Sequence, residues 1–230
     1  FYTNMPVIKF FFLNPSEVPQ RMESYTNDLR RTNGGTKTNI LNKISSVRGG
    51  GITGQAISEE QNPAVLGEFE KTFKSIGDAF WITLSGGEPF LRNDFVEICK
   101  SAYRNCRPNI INIPTNGLLF DIIPESVEEI VKYCQKTQIV INLSVDGIGE
   151  RHDAIRGIKG NFNKSMRTYD ALRSLGYKNF NLGIHTVISR FNVENIPEIY
   201  ELAKKLRADS FITEIAEERV ELDTVGLDIK

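Results

Sequence analysis

Cysteine is scarce in this sequence, and its absence from the N-terminal part matters most. The 230 residues contain three cysteines, which are Cys99, Cys106 and Cys134. An odd number at such wide spacing does not form a disulfide framework. No cysteine precedes Cys99, so a thiolate metal loop is excluded from that part of the chain.

Long apolar runs and an excess of charge are also missing. No stretch approaches the roughly 18 apolar residues that a membrane-spanning helix needs. The apolar run from Val7 to Leu13 lacks the small-residue cleavage site of a signal peptide. The 28 basic residues balance 29 acidic ones, which argues against nucleic acid and anionic membranes as partners. We therefore expect a cytoplasmic protein that binds neither.

The first 62 residues differ in character from the rest. Between Asp28 and Glu59 there is no acidic residue but there are six glycines, which is typical of loop or disorder. Upstream, apolar residues at helical spacing predict a helix over 16–30. We expect an atypical segment over 1–62, a barrel-like domain over 63–216 and a C-terminal tail over 217–230. The run from Val7 to Leu13 could supply a first strand.

From residue 79 onward, strand-like runs alternate with helix-like segments. The strands are predicted to begin near Ala79, Asn109, Gln138, Asn181 and Asp209, at intervals that fit βα units of about 30 residues. A helix over 65–73 precedes them, and three more are predicted by apolar stripes that begin at Phe95, Val127 and Ile196. The interval after the third strand contains a predicted loop from Gly147 to Asn161. Such units imply a parallel sheet, either a barrel or an open doubly wound sheet.

Alternating polar residues favour the barrel. Asn142, Ser144 and Asp146 share one face of a strand, whereas the residues between them are apolar. A strand covered on both faces should be apolar on both. We therefore expect a polar interior that encloses a polar ligand.

The most informative stretch is Ser85-Gly86-Gly87-Glu88-Pro89, which follows a predicted strand. Two adjacent glycines let a ligand approach the main chain closely. The Glu88 carboxylate suits an ammonium group, and Pro89 stiffens the exit of the turn. This pattern predicts a site for a small cationic ligand at the carboxyl end of a barrel strand. A tight strand-to-helix turn uses the same residue types.

The segment from Ile82 to Arg92 resembles the Gly-Gly-Glu-Pro motif of radical S-adenosylmethionine (SAM) enzymes. The likeness covers about residues 64 to 215. It continues through Pro114-Thr115-Asn116-Gly117, Leu143-Ser144-Val145-Asp146-Gly147 and His152-Asp153-Ala154-Ile155-Arg156-Gly157. It implies an α/β fold, a partial (β/α)6 TIM-like barrel with parallel strands. It also implies an oxidoreductase in which SAM and a [4Fe–4S] cluster generate a 5′-deoxyadenosyl radical.

The resemblance also implies which residues bind SAM. Gly86, Gly87, Glu88 and Pro89 would hold its amino group. Ser144 and Asp146 would contact the ribose, and Arg156 the carboxylate, with a weaker ligand role for Asn116. Each has a plainer interpretation: Asn116-Gly117 and Asp146-Gly147 as turns, and Arg156 as a solvated loop arginine. His152 and Asp153 are expected to cap or brace their loop. His185 is expected to be a satisfied core histidine, the alternative being a position in the barrel interior near SAM or substrate. No catalytic residue is assigned.

One element of the family is missing. Its Cys-x3-Cys-x2-Cys loop, which binds the cluster, precedes the Gly-Gly-Glu-Pro motif, whereas Cys99 and Cys134 here fall on predicted buried helix stripes. We interpret all three cysteines as structural and assign no metal ligand. The N-terminal segment could be foreign to the gene, for example after a frameshift. The loop could instead have been lost in a silent relative, or a partner chain could supply the ligands.

We therefore expect a radical SAM-type domain that is incomplete or inactive as it stands. The alternative is a non-catalytic barrel module that binds SAM or a peptide. An active form would take a small-molecule or peptide substrate and a reductant such as a flavodoxin or ferredoxin. Because the chain begins with Phe1 and stops soon after the last predicted strand, we expect a fragment or a processed product in which any C-terminal auxiliary domain is absent or truncated.

Overall fold

The structure is a computed structural model in which residues 7–12, 46–47 and 63–216 are described, with side chains from residue 66 onward. The helix predicted over 16–30 and the C-terminal tail lie outside the described residues. So does most of the N-terminal segment. The described strands and helices are bounded as follows: β1 Val7–Phe12, β2 Ser46–Val47, α1 Pro63–Ile76, β3 Trp81–Gly86, α2 Phe95–Cys106, β4 Ile110–Thr115, α3 Ile123–Tyr133, β5 Gln138–Ser144, α4 Glu150–Arg156, α5 Asn161–Arg173, β6 Phe180–Ile188, α6 Ile196–Lys205 and β7 Ser210–Ile215.

The predicted alternation of strands and helices is confirmed. Each predicted strand from residue 79 onward begins within two residues of its expected start, and the four predicted helices are present. The strand pairs β1–β3, β3–β4 and β6–β7 are parallel. Helices in the crossovers cover the apolar faces of such strands.

The chain divides into two compact units. The first comprises Phe1–Ile113 and Ser126–Ile139, and the second comprises Pro114–Glu125 and Val140–Lys230. The division therefore passes through β4, α3 and β5.

In the first unit the neighbouring strands follow the order β2, β1, β3, β4. The apolar run near the N-terminus is the first of the long strands, as predicted, and Phe12 stands opposite Gly86 in the parallel register with β3. The core contains the predicted helix stripes, with Phe95, Ile98 and Cys99 fully or almost fully buried.

In the second unit β5, β6 and β7 are neighbours in that order. Ile141, Leu143 and Val145 are fully buried on one face of the β5 segment. The opposite face carries Asn142 and Asp146, which are also buried. The predicted alternation of polar and apolar residues is therefore present.

Gly183 of β6 shows how the polar faces of these three strands line up. A β-carbon at Gly183 would lie 2.2 Å from Ser210 Oγ and 2.5 Å from Asn142 Oδ1. Because side chains alternate along a strand, His185 and Glu214 lie on this same face. One face of the second unit therefore carries polar residues from all three strands.

One element was predicted wrongly. The segment from Gly147 to Asn161 is not simply a loop, because it contains α4. This helix has seven residues and no full apolar stripe, so its periodicity is too weak to signal a helix. Its position depends on contacts made by His152, Asp153 and Arg156.

Candidate functional site

The Gly-Gly-Glu-Pro turn lies in the first unit, where β3 ends. Glu88 has an extended backbone and caps a short 3-10 turn over Pro89–Leu91, with Oε1 accepting the Phe90 N–H at 3.3 Å. The proline occupies the first position of that turn, where a missing N–H costs nothing. The turn therefore fixes the Glu88 backbone where the strand ends.

Burial distinguishes Glu88 from an ordinary turn residue. Glu88 is only 8 % exposed, and a carboxylate that is largely removed from water interacts strongly with positive charge. Arg92, also 8 % exposed, is bound to Asp94 through two contacts, Nε to Oδ1 at 2.9 Å and Nη2 to Oδ2 at 2.8 Å. The chemistry of the turn thus fits an ammonium group that approaches Glu88.

In the second unit, Asp146 lies two residues after the end of β5 and is bound through several of its atoms. Its Oδ1 accepts the Val187 N–H at 2.8 Å, and its Oδ2 lies 2.7 Å from Arg156 Nε. Asn192 Nδ2 donates both to the Asp146 carbonyl at 3.0 Å and to the Val187 carbonyl at 2.9 Å. These bonds tie the end of β5 to the segment that follows β6.

Arg156 is therefore not a simply solvated arginine. Its side chain is 29 % exposed, while that of Asp146 is 7 % exposed. Among the described residues, the buried Nε–H has no acceptor in hydrogen-bond geometry, so the contact with Asp146 is ionic rather than a straight hydrogen bond. Asp146, which lies four residues before the start of α4, therefore positions the Arg156 side chain.

The residues His152 and Asp153 brace this region, as expected. The Asp146 N–H donates to His152 Nδ1 at 3.1 Å, and His152 Nε2 lies 3.3 Å from Asn161 Oδ1. Asp153 Oδ1 accepts the Phe162 N–H at 2.8 Å, and Oδ2 accepts the Gly160 N–H. Helix α4 is thereby fastened to the end of β5 and to the start of α5.

Electrostatics agree with these roles. Burial lowers the pKa of His152, and the Arg156 charge lowers it further, so the neutral imidazole is favoured. The hydrogen bond from the Phe162 N–H, followed by that from the Gly160 N–H, lowers the pKa of Asp153.

The residues Asn116 and Gly117 form a turn in the second unit. Asn116 Oδ1 accepts the Leu118 N–H at 2.8 Å, the pattern of an Asx turn. Helix α5 holds the turn from outside, since Ser165 Oγ donates to the Asn116 carbonyl at 2.9 Å and Thr168 Oγ1 donates to the Gly117 carbonyl at 2.6 Å. These contacts fit the interpretation of Asn116-Gly117 as a turn.

The two remaining predicted positions are Ser144 and His185. Ser144 is the last residue of β5 and is partly exposed. His185 is not a core residue, because its side chain is 17 % exposed and its Nε2 lies 3.7 Å from Glu214 Oε2 on β7. Sequence reasoning missed Asn161, Asn192 and Val187, which support Asp146 and His152. Only the spacing of four between His152 and Arg156, which places both on one helix face, could have suggested a joint role.

The cysteines do not fit an iron–sulfur cluster. All three are fully buried, and burial raises the pKa of Cys106 and of Cys134 to about 12 and that of Cys99 well above its usual value. Cluster ligands are deprotonated thiolates that lie together around the metal. Among the residues that the structure describes, no group of three or more His, Cys, Asp or Glu could hold a metal ion.

No helix in the described part of the chain is both long and apolar enough to cross a membrane.

Relatives with assigned activities match part of this chain. It is 35 % identical over 138 residues to the AdoMet-dependent heme synthase of Methanosarcina barkeri, a match that covers 60 % of this chain and 36 % of the relative. It is 28 % identical over 160 residues to the mycofactocin maturase MftC of Mycolicibacterium smegmatis, covering 69 % and 37 %. The chain thus spans about a third of the length of the curated relatives it matches.

Solved structures show the same fold. Streptococcus suis SuiB superimposes with a TM-score of 0.53 at 20 % identity, over 74 % of this chain and 36 % of SuiB. Its form bound to S-adenosylmethionine gives a TM-score of 0.51 at 20 % identity, over the same shares. The expected fold class, an α/β partial (β/α)6 barrel with parallel strands, is confirmed by this likeness.

A family model described as the Radical SAM superfamily matches residues 58–203. This range contains every motif on which the resemblance was based, from Gly86 to Gly157. The chain belongs to the radical SAM superfamily.

Proposed function

We propose that this chain is the SAM-binding part of a radical SAM enzyme and that Glu88 binds the ammonium of the methionine moiety. Bound SAM would supply a sulfonium, which one electron from a reductant would cleave to methionine and the 5′-deoxyadenosyl radical. The observation that carries the proposal is the buried carboxylate of Glu88 in a turn whose backbone is fixed by Pro89. The neighbouring Gly86 and Gly87 leave the main chain accessible to the ligand.

Calorimetry with SAM tests this assignment. Glu88→Gln keeps the shape of the side chain but removes its charge, so we expect affinity to fall roughly 10- to 150-fold, since a hydrogen bond to a charged group is worth about 1.5–3 kcal/mol. Glu97→Gln is the matched control. That side chain is 48 % exposed and lies in the same unit, and its partner Lys100 also pairs with Glu129.

A SAM analogue that lacks the α-amino group sharpens the test. It should bind the wild type and Glu88→Gln equally, because neither carboxylate nor amide then meets an ammonium. Equal SAM affinity of the wild type and Glu88→Gln would refute the role of Glu88.

We propose further that Ser144 and Asp146 contact the SAM ribose and that Arg156 contacts its carboxylate. Asp146 already accepts from the Val187 N–H and lies against Arg156. A carboxylate offers about four acceptor positions, so it retains capacity for a ribose hydroxyl. Arg156 keeps several of its five N–H donors for a carboxylate after it contacts Asp146. Asn116 is the weakest candidate, because its Oδ1 already closes a turn.

The cluster is a different matter, and no catalytic step is assigned through it. The three buried cysteines of the chain do not fit a [4Fe–4S] cluster, so we propose that the chain as it stands binds SAM without cleaving it. The domain division at residues 62 and 216 and a cytoplasmic location remain predictions. If a complete form is active, it needs a reductant such as a flavodoxin or ferredoxin.

The substrate class is proposed from the relatives. AlbA of Bacillus subtilis is named for the biosynthesis of the bacteriocin subtilosin, MftC is named a mycofactocin maturase, and SuiB has been solved with the precursor peptide SuiA. We take these names to favour a peptide substrate. Heme synthases point equally to a small-molecule substrate. Both classes therefore stay open for this chain.

A non-catalytic SAM- or peptide-binding module is the second candidate, favoured by the same cysteine burial. SAM binding without turnover supports the module. If neither SAM binding nor turnover is observed, the chain is better explained as a fragment that has lost its function. Reading the other frames of the encoding DNA tests the foreign-segment explanation, which fails if no Cys-x3-Cys-x2-Cys sequence is found there.

A further inference from the structure

We propose that His152 is a positioning residue for Asp146. In its neutral form the imidazole accepts the Asp146 backbone N–H, and so holds both Asp146 and Arg156 in the geometry that binds SAM. The inference rests on the proposed function of those two residues. The contacts that the imidazole makes do not depend on that proposed function.

The hydrogen bonds around His152 select one tautomer. A ring nitrogen that accepts a hydrogen bond carries no proton, so the bond from the Asp146 N–H to Nδ1 at 3.1 Å requires the proton on Nε2. That proton points to Asn161 Oδ1 at 3.3 Å. The ring is 1 % exposed, so water cannot replace either partner.

Helix α4 holds Asp146 at two different groups. His152 and Arg156 are four residues apart and lie on one face of the helix. The first binds the backbone N–H of Asp146 and the second binds its carboxylate. Loss of one contact leaves α4 bound to Asp146 through the other, whereas displacement of α4 breaks both contacts.

The turn after Asp146 is packed directly against the backbone of α4. A β-carbon at Gly147 would lie 2.9 Å from the His152 backbone nitrogen, which is closer than real contacts allow. Position 147 therefore has no room for a side chain while α4 stays in its place.

Protonation of His152 would reverse the contact. The Nδ1–H would then face the Asp146 N–H, donor against donor, beside the Arg156 guanidinium. The carboxylates nearby give little compensation, because that of Asp146 contacts Arg156 and the Val187 N–H, and that of Asp153 accepts the Phe162 and Gly160 N–H groups. From α5, the ring is met by the uncharged Asn161 and by Phe162, whose ring centroid lies 5.9 Å from that of the imidazole.

Two variants separate the hydrogen bond from simple packing. His152→Asn retains an acceptor at the position of Nδ1, whereas His152→Leu fills the space without one. We expect His152→Leu to weaken SAM binding by about tenfold, since it leaves a buried N–H unsatisfied. His152→Asn should stay within about threefold of wild type. The same order should appear in the rate of hydrogen exchange of the Asp146 amide.

A pH series supplies a readout that packing alone would not move. SAM affinity of the wild type should fall as His152 becomes protonated in acid, and the His152→Asn variant should lack that component. Nitrogen-15 spectra of the wild-type imidazole should show the Nε2–H tautomer at neutral pH. If His152→Leu is unfolded, this spectrum and the pH comparison with His152→Asn still decide the question.

The outcomes of the two proposals are distinguishable. A wild type that does not bind SAM refutes the proposed function, while the tautomer and the Asp146 exchange rate still test the contact. Normal SAM affinity with unchanged Asp146 exchange in His152→Leu overturns the positioning role. So does a Nδ1–H tautomer in the wild type.

Discussion

Replacement of Gly117 by Ala should destabilise the protein more than an ordinary glycine substitution. Gly117 has a φ of +73°, and a β-carbon there would lie 2.4 Å from Leu143 Cδ1 and 3.2 Å from the Ser165 Cα. The left-handed conformation costs a non-glycine residue about 1–2 kcal/mol. Overpacking a core contact costs about 1–3 kcal/mol more, so we expect a total loss of about 2–5 kcal/mol.

Gly176→Ala is the matched control for that substitution. Gly176 also has a positive φ, of +65°, but its nearest neighbour would be the Ser174 carbonyl oxygen at 3.9 Å. Gly176→Ala should therefore lower the free energy of unfolding only by the cost of the left-handed conformation, about 1–2 kcal/mol. Urea unfolding followed by circular dichroism measures both free energies.

A double-mutant cycle isolates the collision with Leu143. Leu143→Val removes the Cδ1 atom that the new methyl group would meet, so Gly117→Ala should cost less in that background than in the wild type. The steric reasoning is refuted if Gly117→Ala and Gly176→Ala cost the same within about 0.5 kcal/mol, a difference typical of unremarkable surface substitutions.

Two further predictions concern Asp153 and the cysteines. Asp153→Asn should lower the melting temperature at neutral pH, because the Gly160 and Phe162 N–H groups bind different carboxylate oxygens and the amide replaces one oxygen with an NH2 donor. Since these bonds lower the pKa of Asp153 in the folded state, their contribution is present above the unfolded value of about 3.9 and is lost as the pH falls through the folded pKa. The difference between wild type and variant should therefore shrink in acid, and a constant difference down to pH 2 would contradict it. Anaerobic reconstitution with iron and sulfide should give no iron–sulfur absorbance, because Cys99, Cys106 and Cys134 are buried and protonated; a broad cluster absorbance with three thiolate ligands would show that they are accessible.

Much of the fold could be predicted because its signals are local. Strands such as β4 and β5 are short apolar runs between turn residues, and α2 has a clear apolar stripe. The polar face that carries Asn142 and Asp146 follows from alternation along one strand. The α/β class therefore depends on patterns that a single sequence displays.

The candidate site could be predicted only in part, because its geometry depends on contacts between distant residues. The residues of the Gly-Gly-Glu-Pro turn are adjacent, so their pattern could be recognised directly. Arg156 has an unambiguous charge, yet nothing in the sequence says that its partner is Asp146, since this depends on the orientation of α4. The support of Asp146 by Val187 and Asn192 joins residues more than forty positions apart. No local pattern encodes such pairs.

The register between β1 and β3 indicates where a cluster could be engineered. Phe12 stands opposite Gly86, and adjacent strands are about 4.8 Å apart. A transplanted loop with three cysteines, spliced in directly behind Phe12, would begin one strand spacing from the Gly-Gly-Glu-Pro turn. The scaffold thus offers a defined graft point for restoring redox chemistry, at a position where the backbone is already anchored by parallel pairing.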